Sequence, residues 1–209
     1  MATHILVTGG AGFIGSHTCK ALKRNGFIPV VFDNLSQGRR PAVRWGDLVV
    51  ADLANPRAIA AAIETHQIDA VIHFAGSIEV GLSARDPAAF YRNNLTNGLN
   101  LLDAMVAAGV KTIVFSSTAA VYGQPRSPLI AEDHPLIPVN AYGETKLAIE
   151  RAIHWYANAY GLSWTILRYF NAAGADPECR SLQEQVLGVN RQRRRPDVCR
   201  KEPARRSNP

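Results

Sequence analysis

A chain of 209 residues, of which 47% are hydrophobic and 19% charged, is long enough to bury a core, which excludes a wholly disordered polypeptide. No apolar run approaches the ~18 residues that a membrane span requires, and no basic leader precedes one, so we expect a cytoplasmic protein with no membrane partner. The net charge is +6, but residues 177–209 hold nine Lys or Arg against four Asp or Glu, which leaves only +1 for the first 176 residues.

The chain begins with an apolar run, His4–Val7, that leads into the glycine-rich turn 8–15 and then into a helix ending near Asn25. This order of strand, turn and helix is typical of a site where the backbone approaches a pyrophosphate at a helix N-terminus. The glycines follow the spacing G-x-x-G-x-x-G, not G-x-G-x-x-G. Glycines in a tight turn are often only structural, so the turn alone does not identify a ligand.

The next predicted strand, Ile28–Phe32, ends in an acid, Asp33. Asp33 follows the turn at about the distance expected of a residue that accepts the ribose hydroxyls of a bound dinucleotide. An acid at this point disfavours a ribose phosphate, so we expect NAD and not NADP. Arg39 and Arg40 could soften that preference, and we interpret them as a solvated loop pair.

Short apolar runs and helical segments alternate beyond Asp33. We predict strands at 48–51, 70–74 and 112–115, and helices at 56–63 and 93–106. The strands lack polar alternation, which indicates a sheet buried on both faces. Strands joined by helical crossovers form a parallel, doubly wound α/β sheet, in which ligands bind beyond the carboxyl ends of the strands. Asp33, Asp52, Gly76 and Thr118 all fall at such ends.

A tyrosine and a lysine four residues apart, Tyr142 and Lys146, carry the candidate chemistry. Residues at this spacing share one face of a helix, so the ammonium lies beside the phenol. A phenol has a pKa near ~10, and a nearby cation together with a positive nicotinamide would lower it at ~1.4 kcal/mol per unit, so that Tyr142 can remove a hydroxyl proton. Thr118 could hold the same oxygen by a hydrogen bond. Tyr-x-x-x-Lys pairs are common on ordinary helices, and only the glycine turn and Thr118 favour the chemical interpretation.

Six motifs follow one another along the chain. They are TGGAGFIG at 8–15, DNL at 33–35, HFAG at 73–76, SSTAAVYG at 116–123, YGETK at 142–146 and RYFN at 168–171. This series resembles the extended short-chain dehydrogenase family, and within it the nucleotide-sugar 4-epimerases, over residues 3–176. The resemblance implies a Rossmann-type NAD-binding domain at 1–176 and a redox-neutral epimerisation at C4 that interconverts UDP-glucose and UDP-galactose.

The resemblance also implies a role for each matching residue. Tyr142 would take the proton of the C4 hydroxyl while a hydride passes to NAD, and the 4-keto sugar would rotate and receive the hydride on its other face. Thr118 would orient the C4 oxygen, and Lys146 would bind the nicotinamide ribose and lower the tyrosine pKa. Further cofactor positions would be Gly9, Gly12, Phe13, Ile14 and Gly15 (pyrophosphate), Asp33 and Asn34 (ribose), Asp52 and Leu53 (adenine), and Phe74, Ala75, Gly76, Asn93 and Tyr169. Thr118, Tyr142 and Asn171 would contact the substrate.

The chain departs from this family in two places. The segment 77–80 stands where some members carry a lysine that helps to hold the pyrophosphate. After Asp176, members continue into a domain that closes over the substrate, whereas residues 177–209 are basic with no sustained apolar period. We therefore expect the substrate-binding domain to be largely absent and the tail to be solvated and disordered. A nucleic-acid arm is the less favoured alternative, since the tail has no aromatic residue for stacking.

Three functional hypotheses stay open. The first is a 4-epimerase, with an arabinose-type epimerase or a sugar-nucleotide dehydratase as the close alternative. Dehydratases usually place an acid beside the Ser/Thr, whereas Ala119 and Ala120 follow Thr118 here. The second is a cofactor-binding module without turnover. The third is a nucleic-acid-binding protein that uses its basic tail.

The remaining candidates are assigned to the fold. The three cysteines lack metal-like spacing, and Cys19 falls in the first helix as a buried thiol. The six histidines form no metal-like pairs, so no metal is expected, and His73 belongs to a strand end. Tyr122 would line the site. The aromatic residues of 155–160 would pack in the core, on a helix that in this family often helps to form a homodimer.

Overall fold

The computed structural model describes residues 2–125, 129–174 and 176, and these form alternating strands and helices. In chain order they are β1 (His4–Thr8), α1 (Phe13–Arg24), β2 (Ile28–Asp33), β3 (Asp47–Val50), α2 (Pro56–Thr65), β4 (Ala70–His73), α3 (Val80–Arg85), α4 (Pro87–Phe90), α5 (Asn97–Ala108), β5 (Thr112–Thr118), α6 (Ala141–Tyr160) and β6 (Ser163–Tyr169). Short 3-10 turns occupy Arg40–Ala42 and Ala119–Tyr122, and a π-helical turn occupies Tyr91–Thr96. The predicted tail, 177–209, lies outside the described residues.

The strands form one parallel sheet in the order β3-β2-β1-β4-β5-β6. The chain winds outward from β1 to β3, then returns to the other side of β1 and continues through β4, β5 and β6. The predicted doubly wound parallel sheet is thereby confirmed. The order reverses between β1 and β4, where Thr8 is paired with His73, and the carboxyl edge at such a switch point is where open α/β sheets bind ligands.

Both faces of the central strands are buried. Leu6 and Phe32 belong to a core that includes residues of α2, α5 and α6, whereas Val7 and Val31 pack on the opposite face with Cys19 of α1. This alternation follows from the two-residue period of a strand. The sequences of the central strands are therefore unbroken apolar runs, as predicted for a parallel sheet covered on both sides.

Two features of the fold were not predicted. The edge strand β6 escaped notice because most of its residues are exposed and only Ile166 packs against the main core, which leaves little apolar period to detect. The predicted helix 93–106 begins as a regular α-helix only at Asn97, after the π-helical turn. In that turn the Asn94 side chain is buried and bonded to Ser77 and Thr145.

The long helix α6 crosses one face of the sheet, and its exposed end corrects one prediction. Its Asn140 cap accepts the Gly143 N–H at 2.8 Å, and Ile153 packs in the core. Trp155 and Tyr160, predicted to be core residues, are 73% and 50% exposed. Trp155 follows Ile153 by two residues, about 200° around the helix, so it faces away from the sheet. No helix among residues 2–125, 129–174 and 176 is long and apolar enough to span a membrane.

Candidate active site

The glycine turn between β1 and α1 has a steric reason for each of its three spaced glycines. Gly9 has a φ of +70°, and a Cβ there would lie 2.7 Å from the Ala75 nitrogen, so the turn touches the end of β4. A Cβ on Gly15 would collide with the Gly9 carbonyl oxygen, so that only a glycine lets α1 pack onto the turn. A Cβ on Gly12 would meet only that same oxygen, at 3.2 Å. Gly12 is therefore the position where a ligand could approach the backbone closely.

The N-terminus of α1 opens at the same edge of the sheet. Its N-cap is Gly12, no side chain makes a capping bond to it, and its first turn holds no acid. The first N–H groups of a helix need partners outside it, and the helix dipole favours an anion there. Phe13 and Ile14, at the first two helical positions, are half-buried, which leaves these groups accessible to a phosphate.

At the end of β2 the Asp33 carboxylate is 8% exposed and is held by two backbone donors. Ala11 donates its N–H to Oδ2 at 3.0 Å, and Leu35 donates to Oδ1 at 2.8 Å. A carboxylate can accept about four hydrogen bonds, so acceptor capacity for ribose hydroxyls remains. A Cβ on Gly38 would lie 2.8 Å from Oδ1, so only a glycine at this position leaves room for the carboxylate. Arg39 is exposed, in keeping with a solvated loop residue.

Beyond Asp33, a polar pair extends the predicted adenosine side. Asn34 donates from Nδ2 to Asp52 Oδ2 at 2.7 Å, and the other Asp52 oxygen accepts the Ala54 N–H at 2.8 Å. The side chain of Leu53 is 6% exposed and belongs to the main core, while its carbonyl accepts a bond from Asn100 at 2.9 Å. A contact of the Leu53 side chain with an adenine would therefore be limited to the small part of that side chain that is exposed.

The segment after β4 closes against both the glycine turn and α6. Phe74, Ala75 and Gly76 are half-buried, and the Phe74 N–H donates to the Thr8 carbonyl at 3.0 Å. A Cβ built on Gly76 would lie 3.5 Å from Lys146 Nζ, which places this glycine directly beside the lysine. The predicted cofactor-lining residues of β4 and the predicted catalytic lysine therefore belong to one site.

A polar network fixes this segment to the π-helical turn. Ser77 donates its N–H to Asn94 Oδ1 at 2.7 Å, and its hydroxyl accepts a bond from Asn93 at 2.8 Å. Asn94 also donates to the Thr145 hydroxyl at 3.1 Å, which links the turn to α6 next to Lys146. The predicted cofactor position Asn93 is thus held by Ser77. Asn94, which the sequence analysis missed, is the buried member of the pair.

Thr118, Tyr142 and Lys146 come together at the carboxyl edge of β5. The Thr118 side chain lies close enough to the Tyr142 phenol to lower its pKa, and the Tyr142 ring packs edge-on against Phe90 at 6.5 Å between centroids. Lys146 is 3% exposed and donates from Nζ to the Ser116 carbonyl at 2.9 Å. The tyrosine and lysine share one face of α6, as their spacing predicts.

The electrostatics of these groups differ from the sequence prediction. Burial raises the pKa of Tyr142, and the hydrogen bond from Thr118 lowers it only in part. Burial also lowers the pKa of Lys146 to about 8 and, together with the Lys146 charge, that of His73 to about 3. Desolvation therefore raises the pKa of Tyr142 in the chain without a cofactor, and the predicted lowering, which also needs the positive charge of a bound nicotinamide, stays a prediction.

Tyr169 and Asn171 lie at the end of the neighbouring strand. Tyr169 pairs with Thr118 in the register of β5 and β6, and burial raises its pKa. Asn171 follows two residues later and is exposed. The structure thus brings Tyr169 next to Thr118, one of the predicted catalytic residues, and leaves Asn171 at the surface.

Other candidates from the sequence belong to the fold. The Cys19 thiol is 1% exposed, and burial raises its pKa to about 12. His73 is buried, bonds the Thr8 hydroxyl at 2.7 Å and stacks on Phe115. Tyr122 is 5% exposed and packs behind the site instead of lining it. Within the described part of the chain, no three His, Cys, Asp or Glu side chains are placed to hold a metal ion.

Sequence reasoning also missed two charged residues next to the site, Glu150 and Arg168. Glu150 lies on α6 one turn after Lys146, and it is 2% exposed. Arg168 lies inside the RYFN motif, and its NH2 group is 2.8 Å from Glu150 Oε2. An acid on the apolar face of the predicted helix was the available signal, because a buried carboxylate requires a partner.

Comparison with known proteins gives a consistent family assignment. The family model for the NAD dependent epimerase/dehydratase family matches residues 5–195, beyond the boundary predicted at 176. The UDP-glucose 4-epimerase of Rhizobium meliloti (strain 1021) is 50% identical over 85% of this chain, and UDP-arabinose 4-epimerase 1 of Arabidopsis thaliana is 41% identical over 85%. The crystal structure of UDP-glucose 4-epimerase from Brucella ovis in complex with NAD matches 84% of the chain with a TM-score of 0.82 and 49% identity.

These matches define a Rossmann-type member of the epimerase and dehydratase class. The chain belongs to the NAD dependent epimerase/dehydratase family. It spans about half the length of the relatives, namely 54% of the Rhizobium and Brucella proteins and 45% of the Arabidopsis protein.

Proposed function

We propose that this chain carries the cofactor site and the catalytic residues of an NAD-dependent nucleotide-sugar 4-epimerase that interconverts UDP-galactose and UDP-glucose. The observation that carries the proposal is the position of the buried Lys146, one helical turn from Tyr142, beside Gly76 at the end of β4 that the glycine turn contacts. The glycine turn of β1 opens at the same edge of the sheet. A tyrosine base next to a dinucleotide site is what a reversible alcohol oxidation requires.

The residues of this edge fit a dinucleotide. The first turn of α1, behind Gly12, offers N–H groups to the pyrophosphate. Asp33 keeps acceptor capacity for the ribose hydroxyls, and its charge would repel a ribose phosphate, which favours NAD over NADP. Asn34 and Asp52 extend this side, and Asn93 and Tyr169 flank the other end. Bound NAD would supply the acceptor and later the donor of a hydride.

The chain's own residues would handle the proton. Tyr142 receives the proton of the C4 hydroxyl on its phenolate oxygen and returns it after the keto sugar has turned. The Thr118 hydroxyl interacts with the phenolate oxygen of Tyr142 and holds the C4 oxygen of the sugar in line. The protein alone raises the pKa of Tyr142, so the extra positive charge must come from the occupied cofactor site.

The choice of sugar is supported by the relatives and by one local feature. Relatives named for UDP-glucose and for UDP-arabinose both match this chain, and the higher identity belongs to the UDP-glucose enzyme. Ala119 and Ala120 follow Thr118, so no acid stands beside the threonine for the elimination that a dehydratase performs. An epimerase is therefore favoured over a dehydratase, with Asn171 as a further substrate contact.

A second function, an NAD-binding module without turnover, is favoured by the exposure of the substrate side. Asn171 is exposed at the edge of the site. Water in an open site weakens the electrostatic interactions on which proton transfer depends. Such a module would bind NAD and leave the nucleotide sugar unchanged.

A homodimer through the outer face of α6 is proposed as the assembly. Trp155 and Tyr160 of α6 are 73% and 50% exposed, and Trp164 at the start of β6 is 40% exposed. Clusters of exposed aromatic residues mark association surfaces in proteins. Sedimentation of the chain and of a Trp155→Glu variant tests this, since a dimer through α6 should dissociate in the variant.

Binding and turnover are measured separately to test the function. NAD binding to the purified chain is followed by calorimetry, and conversion of UDP-galactose to UDP-glucose is followed by chromatography with added NAD. Tyr142→Phe, which keeps the ring against Phe90 and removes only the hydroxyl, is the matched variant. We expect it to retain NAD binding within about twofold and to lose at least about 10³-fold in turnover.

The outcomes separate the two candidates. Turnover in the wild type that disappears in Tyr142→Phe supports the epimerase. NAD binding without turnover in either protein supports the cofactor module. Absence of NAD binding to a folded wild-type chain would contradict both functions.

A further inference from the structure

A cluster of four polar side chains lies behind the catalytic residues. This anchor cluster consists of Ser117, Tyr122, Glu150 and Arg168. The Glu150 side chain is 2% exposed and the Arg168 side chain 22%. Arg168 contacts the carboxylate through NH2 at 2.8 Å and through Nε at 3.2 and 3.3 Å, and the Ser117 hydroxyl donates to Glu150 Oε1.

The cluster joins the strand that bears Thr118 to the helix that bears Tyr142. Ser117 is the residue before Thr118 in β5, and Glu150 lies eight residues after Tyr142 on α6. Eight residues span about 12 Å of helix, and Lys146 lies midway between them. A single carboxylate therefore ties the end of β5 to the same helix that presents the phenol and the ammonium.

Arg168 extends the connection to the segment that precedes α6. Its NH1 group donates to the Tyr122 hydroxyl at 3.0 Å and to the Glu132 carbonyl at 3.3 Å. Tyr122 lies in the turn after Thr118, and Glu132 lies on the stretch that leads to the Asn140 cap of α6. The guanidinium thus bonds two points of the segment between Thr118 and Tyr142. The hydrogen bonds of Arg168 with Glu150 and, less strongly, with Tyr122 raise its pKa, which keeps it charged.

Stability alone does not account for this arrangement. Burying an ion pair costs desolvation energy that often equals the attraction gained, and apolar replacements are frequently as stable. Buried polar groups with several fixed partners do define the relative position of the elements that they join. Here the elements joined are those whose separation sets the distance between the Thr118 and Tyr142 hydroxyls.

We propose that Glu150 and Arg168 are positioning residues that hold the Tyr142 hydroxyl against the Thr118 hydroxyl. They touch neither hydroxyl. They act through Ser117, which precedes Thr118, and through Tyr122 and Glu132, which lie in the segment that leads to α6. The catalytic meaning of this role rests on the proposed function. The positional claim itself concerns how two side chains of the chain lie against each other and can be tested without any substrate.

The test is a cycle of variants read by NMR on the full chain labelled with ¹³Cζ-tyrosine. The Tyr142 resonance is assigned by its loss in Tyr142→Phe. Its displacement on Thr118→Val, measured at pH 8, reports the hydrogen bond between the two side chains. The same displacement is measured in Glu150→Gln, which keeps the shape of the side chain, and in Ser117→Ala, which removes one bond without changing any charge.

We expect Thr118→Val to displace the Tyr142 resonance in the wild-type background. In Glu150→Gln and in Ser117→Ala the same substitution should displace it by less than about half as much, because the coupling between two side chains is lost when their contact is lost. Ser117→Ala provides the result if Glu150→Gln does not fold. An equal displacement in all backgrounds overturns the proposal.

A matched control separates positioning from general loosening of α6. Asp103→Asn weakens the bond that Tyr156 donates to Asp103 from the same helix, away from the site. We expect this variant to keep the wild-type displacement, and a loss equal to that of Glu150→Gln would overturn the proposal.

Turnover adds a second, separate readout. In a chain that epimerises, Glu150→Gln should lower kcat about tenfold with KM changed less than about twofold, because the interaction at issue is made to the reacting oxygen. In a chain without turnover, a reduced displacement in the variants still supports the positioning role while the proposed epimerase function fails. A rise in KM alone, with kcat unchanged, would count against positioning.

Discussion

Replacing Lys146, the buried lysine of the proposed catalytic site, by methionine should stabilise the protein while removing its proposed activity. Burial lowers the pKa of Lys146 from 10.5 to about 8. At ~1.4 kcal/mol per pKa unit, this lowering of the pKa means that burying the charged lysine destabilises the folded protein by about 3 kcal/mol at pH 7. Methionine has a similar length, carries no charge, and can make a sulfur contact with Phe115 where the ammonium now lies 5.0 Å from the ring centre.

Part of this gain is offset by a lost contact. Lys146→Met gives up the hydrogen bond to the Ser116 carbonyl, worth about 1 kcal/mol. The net expectation is therefore a gain of about 2 kcal/mol at pH 7, which for a domain of this size is a rise in Tm of about 6 °C. Catalytic residues that are costly to bury commonly show this opposition between stability and activity.

The decisive observation is the direction in which the stability of the wild type changes with pH. Because the folded-state pKa of Lys146 lies below the unfolded value, unfolding takes up a proton between pH 8 and 10.5, and wild-type stability rises with pH across that window. The cost of burying the charge is fully present below pH 8 and falls below about 1 kcal/mol by pH 10. The advantage of Lys146→Met should therefore disappear over the same window.

Urea unfolding of both proteins from pH 7 to pH 10, followed by circular dichroism, measures this difference. Lys23→Met, at an exposed position in the last turn of α1, is the control and should show no comparable change with pH. The reasoning would be refuted by a Lys146→Met chain that is less stable than the wild type at pH 7. An advantage that stays constant up to pH 10 would refute it equally.

Two further predictions concern the glycine turn and the buried thiol. Gly9→Ala should destabilise the protein by about 3 kcal/mol or more, because it combines a φ of +70° with a Cβ 2.7 Å from the Ala75 nitrogen. Gly26→Ala, at a φ of +82° with nothing within 4 Å, should cost only about 1 kcal/mol of backbone strain, and equal Tm losses for the two variants would contradict the steric argument. Cys19, whose pKa burial raises to about 12, should resist alkylation at pH 8 until the chain is unfolded. Peptide mapping after timed iodoacetamide treatment checks this, and rapid labelling of the native protein would show that the helix opens.

Much of the fold was predictable because its determinants are local. The order of strand, glycine turn and helix follows from backbone requirements that only glycine meets at Gly9 and Gly15. Central strands are apolar throughout because both of their faces are covered, and this pattern can be read without knowing the partners. The edge strand β6 has one exposed face and an exposed edge, so its sequence carries too weak a period to be recognised.

The candidate site divides in the same way. The spacing of Tyr142 and Lys146 dictates that they share a helix face, whatever surrounds them. Which groups surround them is a matter of the packed structure, and burial there raises the pKa of Tyr142, an effect that the sequence did not predict. Desolvation depends on every atom within several ångströms, most of them distant along the chain.

The sequence by itself determined the parallel sheet, the glycine turn with its acid Asp33, and the tyrosine and lysine on one helix, because each depends on residues close together in the chain. Only the tertiary structure decided that Glu150 meets Arg168 behind the site, that Asn94 secures Ser77, and that Trp155 faces outward. Such partnerships arise where elements far apart in the sequence are packed together, and a charged residue carries no local mark of the partner that the fold will give it.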